Sequence, residues 1–94
     1  MPEYRIRPQP RKGAEQAFRG YVDEIVEKHI PFIGFLSGAA ITADKETDER
    51  TGNHYIRLIS DKSIMPGSST GNSLTLQEYL VGIKKRYKIV IESI

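Results

Sequence analysis

Hydrophobic and polar positions alternate with a period of two over Glu3 to Pro8, where Tyr4 and Ile6 interleave with Arg5 and Arg7, the pattern of a strand with one buried face. Pro8 and Pro10 end it. The period then lengthens. Phe18, Tyr21, Val22, Ile25 and Val26 recur at three- and four-residue spacings and predict a helix from about Gly13 to His29, stopped because Pro31 disfavours α conformation at Ile30. Phe32-Ile33-Gly34-Phe35-Leu36-Ser37-Gly38 reads as a glycine-bearing turn or bulge ahead of a second strand, roughly Ala39 to Ala43. The polar run Asp44 to Asn53 reads as an extended hairpin tip, leading into a third strand over His54 to Ser60. Beyond a Gly- and Ser-rich loop, Asp61 to Ser73, a second helix sets Leu76, Tyr79, Leu80, Ile83 and Tyr87 on one stripe. Its start matches a capping box in Thr75-Leu76-Gln77-Glu78, and Lys84, Lys85 and Arg86 in its last turn suit the macrodipole. Lys88 to Ile94 is the fourth strand.

The order strand, helix, strand, strand, helix, strand predicts a ferredoxin-like βαββαβ sandwich of class α+β, with a four-stranded antiparallel sheet and two helices on one face. The expected core is Tyr4, Ile6, Phe18, Val22, Ile25, Ile41, Ile56, Leu58, Leu76, Leu80, Ile83, Ile89 and Ile91. With the first and third strands side by side in the sheet centre, Arg5, Arg7, Tyr55, Arg57 and Ile59 must share the opposite, open face. Fold alone does not choose among the enzymes, nucleic-acid binders and interaction modules that this topology serves.

Ninety-four residues with 38% hydrophobic content make a single domain, residues 1–94. No cysteine is present, so disulfides, thiolate metal sites and a cysteine nucleophile are excluded, and a reducing cytoplasmic setting is the expectation. Neither a secretory leader nor a membrane-spanning run is expected: the longest apolar stretch, Ile30 to Ile41, is interrupted by Pro31, Gly34, Ser37 and Gly38. The net charge is only +2, yet it is unevenly spread, with basic groups at residues 1–12 and 84–88 and acidic ones at residues 44–50. Such a dipole can orient encounters with charged partners; the plainer reading is a mixed solvated surface.

Three candidate sites follow. Arg5, Arg7, Tyr55 and Arg57 interleave guanidinium groups with a ring on the central strands, as a single-stranded nucleic-acid platform requires, with Lys84, Lys85, Arg86 and Lys88 extending it at the rim. His54-Tyr55-Ile56-Arg57-Leu58 does not match the RNA recognition motif, however. Asp44, Glu46, Asp48 and Glu49 form an acidic hairpin suited to docking a protein partner; the plainer reading is a solvated tip. Ser68, Ser69, Thr70 and Gly71 precede a helix and could cradle an anion, but without the Gly-Lys-Ser/Thr ending they are no P-loop and read first as a surface loop. Metal, cofactor and catalytic sites are not expected. His29 reads as a helix-end cation and His54 as a strand opener, and no nucleophile sits beside a base.

Residues 18–38, with Phe18-Arg19-Gly20-Tyr21-Val22-Asp23-Glu24-Ile25-Val26-Glu27 followed by the Phe-x-Gly turn at Phe32-Ile33-Gly34, resemble the corresponding stretch of the bacterial YggL-type family, which is associated with the large ribosomal subunit. Lys84-Lys85-Arg86-Tyr87-Lys88-Ile89-Val90 is similar in character to that family's last helix and strand. The likeness covers about a third of the chain, carries no functional residue across, and implies a non-catalytic, partner-binding role. The sequence thus leads to a small non-catalytic binding module whose basic open face engages RNA or a ribonucleoprotein. A protein-interaction or inhibitor module of the phage or mobile-element kind, docking by a sheet edge or the acidic hairpin, is the alternative, and a small-ligand sensor is a third; a homodimer fits the exposed sheet equally.

Overall fold

A computed structural model describes residues 2–64 and 74–94, the side chains of Leu74 and Thr75 excepted. Strand β1 (Glu3–Pro8) leads to helix α1 (Ala14–Glu24), a π-helical turn (Ile25–His29) and helix α2 (Ile30–Ser37); β2 (Ile41–Thr47) and β3 (His54–Ser60) form a hairpin; α3 (Leu74–Tyr87) and β4 (Ile89–Ser93) follow. The fold is α+β, and its four strands make one antiparallel sheet in the order β2-β3-β1-β4.

Alternation decides what each face does. Tyr4 and Ile6 on β1, Ile56 and Leu58 on β3, and Ile89 and Ile91 on β4 are buried and point into one apolar cluster with Phe18, Val22 and Ile25 and with Leu76, Leu80 and Ile83 of α3. Of the expected core only Ile41 stays partly exposed, because it opens the edge strand β2. Tyr4 is buried with its hydroxyl paired: the Oη accepts the Ile64 N–H at 3.1 Å and donates to Ser63 Oγ at 3.3 Å. A polar tip on a buried ring is tolerated only when so satisfied.

The first helix does not stop before Pro31. Ile30 is helical, with φ −64° and ψ −45°, and the chain continues in α2 to Ser37. The π-turn is what permits this: the Ile30 N–H reaches back five residues to the Ile25 carbonyl, and Pro31 then falls in the first turn of α2. The gain is the burial of Ile30 and Ile33, neither of them in the expected core. Gly38, at φ 70°, ends the helix in the left-handed region that favours glycine. Gly34 fits closely, since a Cβ there would lie 3.2 Å from the Ala39 carbonyl oxygen, a tight contact, and the Ala39 N–H donates to the Gly34 carbonyl.

Three boundaries move. Strand β2 begins at Ile41 and runs on to Thr47, so Asp44 and Glu46 belong to the sheet and the tip shrinks to Asp48–Asn53. There Asp48 accepts N–H groups from Arg50 and Gly52, and Gly52 takes φ 74°. Helix α3 begins at Leu74, which puts Thr75 inside its first turn rather than at the cap. Lys88 leaves β4 and turns the corner from α3 with φ 54°.

Candidate functional site

The open face is a lattice of charges rather than a basic platform. Arg5 lies opposite Arg57 on β3 and Glu92 on β4; Asp44 lies opposite Arg57 and Glu46 opposite Tyr55 on β2. Glu3 hydrogen-bonds Arg57, and Arg7 donates to Glu92 Oε1 at 2.6 Å. Both arginines are held more strongly charged by these bonds, and Glu92 is held below the usual carboxylate range mainly by the hydrogen bond from Arg7. Three arginines thus share the face with Glu3, Asp44, Glu46 and Glu92, and two of the three are neutralised.

Arg5 is the exception. Its guanidinium carbon sits 4.6 Å from the centroid of the Tyr55 ring, a cation–π contact, and among the described residues it makes no ion pair. Its Nε is buried and has no acceptor among the described residues. Beside it opens a hollow of about 500 Å³, walled by the β1–α1 turn from Pro8 to Arg11, by Glu15, by the hairpin tip and by His54 and Tyr55. That size suits a ligand of one or two rings. The carboxylates lining it are already engaged: Glu15 accepts the His54 backbone N–H at 3.1 Å, and Asp48 accepts the Arg50 N–H at 2.8 Å. Arg11 is exposed, with no ion pair among the described residues.

The structure therefore brings Arg5, Arg7, Tyr55 and Arg57 together as expected, but it separates the rest. Lys84, Lys85 and Arg86 belong to α3 in the helical layer, where the Arg86 guanidinium carbon lies 5.5 Å from the Tyr87 ring centroid. Only Lys88 reaches the sheet rim, its carbonyl accepting the Gln9 N–H at 2.9 Å. Asp44 and Glu46 join the open face itself, leaving Asp48 and Glu49 at the tip. Ser68, Ser69, Thr70 and Gly71 lie outside the described residues. Arg11 and Glu15, which wall the hollow, were not singled out in the sequence; Glu92 could have been, since its parity in β4 puts it on the face of Arg5.

A second cluster, also unforeseen, sits between the helices. His29, in the π-turn, bridges two tyrosines of α3: Nδ1 faces the Tyr79 hydroxyl and Nε2 lies 2.7 Å from the Tyr87 hydroxyl, which donates in turn to Glu24 Oε2 at 2.8 Å. With the Tyr87 proton committed to Glu24, neutral His29 carries its proton on Nε2 and accepts from Tyr79 at Nδ1. Burial pushes His29 down, and it pushes both tyrosines up. His29 is thus a bridge between helices, not a helix-end cation facing solvent.

Among the described residues no cluster of three or more His, Cys, Asp or Glu side chains could hold a metal ion, and no helix is long and apolar enough to cross a membrane. No protein-family model matches the chain, and neither the curated proteins nor the solved structures yield a match.

Proposed function

We propose that the chain is a small non-catalytic binding module, built on a variant of the ferredoxin-like βαββαβ unit in which a π-turn extends the first helix, and that it takes single-stranded RNA in the hollow beside Arg5 and Tyr55. The observation that carries this reading is the Arg5–Tyr55 stack: an arginine that makes no ion pair among the described residues, lying against a ring, beside a hollow whose carboxylates each accept a backbone N–H. A ring and a guanidinium plane are what an unstacked base rests on, and Arg5 and Arg11 supply charge for the phosphates. Because Arg7 and Arg57 are paired with Glu92 and Glu3, the contact is one or two nucleotides long rather than a track across the sheet. The likeness of residues 18–38 to the YggL-type family supports a partner-binding role without naming residues.

The test is binding of a labelled single-stranded RNA followed by anisotropy across a salt series. Arg5→Gln should weaken binding and flatten the logarithmic salt slope by about 0.7. Tyr55→Ala should cost about 1 to 3 kcal/mol with the slope unchanged. Absence of binding at low salt, or wild-type binding by both variants, overturns the reading. One observation favours a protein-docking module instead: Asp44 and Glu46 stand on the open face of the edge strand β2, an acidic border beside the arginines. Loss of a protein partner on charge reversal at Asp44 and Glu46, with the Arg5 variant unaffected, would decide for it.

A further inference from the structure

The two edges of the sheet are protected unequally. Strand β2 carries Asp44, Lys45 and Glu46 in succession, and Lys45 is tied to Asp23 of α1 at 2.7 Å, the charged edge that discourages pairing with another strand. Strand β4 opposite begins Ile89-Val90-Ile91, without charge or proline. Its pairing with β1 fixes which backbone groups remain. Gln9 donates to the Lys88 carbonyl and Ile94 to the Glu3 carbonyl, so the even positions of β4 turn their N–H and C=O groups to β1 and the odd ones, Ile89, Ile91 and Ser93, turn theirs outward. Among the described residues no strand pairs with that outer side.

We propose that β4 is the seam of a symmetric dimer, in which the β4 strands of two copies pair antiparallel about a two-fold axis at Val90 and join their sheets into one of eight strands. Charge complementarity selects both the occupant and the register. An axis at Val90 sets Ile89 against Ile91 of the second copy as hydrogen-bonded pairs and Val90 against its own counterpart, and it brings Lys88, at the corner just ahead of β4, towards Glu92 of the second copy, twice over. Arg7 holds only Oε1 of Glu92, which leaves Oε2 to receive the lysine. The layer above agrees. Tyr79 on one flank of α3 stacks on Phe32 of α2, and Val81, turned away from that flank, is 48% exposed. A second copy covers it. The proposal stands apart from the RNA reading, since none of its residues walls the hollow except Arg7.

Sedimentation velocity over a concentration series tests it. The wild type should pass from monomer to dimer as concentration rises. Val90→Lys, which sets two ammonium groups face to face across the axis, should stay monomeric at every concentration while keeping the circular dichroism spectrum of the folded chain. Lys88→Glu should weaken the dimer by at least about tenfold, and Lys88→Glu combined with Glu92→Lys and Arg7→Glu, the last keeping position 92 paired within each copy, should recover most of the loss, because both cross-axis pairs are restored with reversed sign. Should Val90→Lys fail to fold, the charge swap carries the test alone. A wild type that is monomeric throughout, or variants that dimerise as the wild type does, would overturn the proposal.

Discussion

The Arg5 guanidinium lies 4.6 Å from the centroid of the Tyr55 ring, while its neighbours on the same face, Arg7 and Arg57, are each engaged by a carboxylate. One sheet face therefore holds two kinds of arginine. The paired ones hold the charges of the lattice together, and the stacked one makes no ion pair among the described residues. Several measurable consequences depend on that division.

Releasing the paired arginines should extend the RNA contact. Glu92→Gln frees Arg7 and Glu3→Gln frees Arg57, and each should strengthen binding of a single strand and steepen the salt slope by about 0.7 per phosphate gained. The cost in stability should be small, as for other exposed ion pairs. Unchanged affinity and slope in both variants would show that Arg7 and Arg57 lie beyond the ligand's reach.

The continuation of the first helix past Pro31 should be visible in stability. Ile33 is fully buried on α2, so Ile33→Ala should cost about 2 to 5 kcal/mol in urea unfolding, comparable with Ile56→Ala on β3 and Leu80→Ala on α3. A loop position after a helix ending at His29 would lose far less. Equal midpoints for Ile33→Ala and the wild type would contradict the helical path described.

His29 should make stability depend on pH near neutrality. Burial lowers its pKa below the ordinary value of 6.5, against the opposing pull of Glu24, while Arg86 and Lys28 add to the lowering; Tyr79 and Tyr87 face it from α3. The folded chain thus keeps His29 neutral where the unfolded chain takes up a proton. Its contribution is intact above about pH 6.5 and is lost as pH falls through that value towards the lower folded one. The urea midpoint should therefore drop on going from about pH 7.5 to about pH 5.5, and His29→Gln should flatten that drop. Glu24 and Glu92, whose pKa values are lowered from 4.5, act only further into acid. A drop of the same size in the variant would assign it to other groups.

Much of the fold was legible in the chain because alternation is a local property. The bounds of β1 and β3, the buried stripe of α3 and nearly all of the expected core follow from periods of two and 3.6. The path around Pro31 was not legible, since the rule that a proline disfavours helix in the residue before it is a local one, and here the π-turn together with the burial of Ile30 and Ile33 outweighs it. The candidate site was half legible. Residue parity placed Arg5, Arg7, Tyr55 and Arg57 on one face, but the pairing that silences Arg7 joins residues 85 positions apart and needs the order of the strands. The His29 bridge spans 50 and 58 positions to its two tyrosines and leaves no trace in local pattern.

Backbone amide shift mapping during titration with a short single-stranded RNA tests the central claim most directly, because it reports the location of contact without altering a residue. The account predicts that shifts concentrate at Arg5, Arg11, His54 and Tyr55 around the hollow and fade towards Asp44 and Ile59 across the sheet. Shifts spread evenly over the open face, gathered on α2 and α3, or absent at low salt would contradict it.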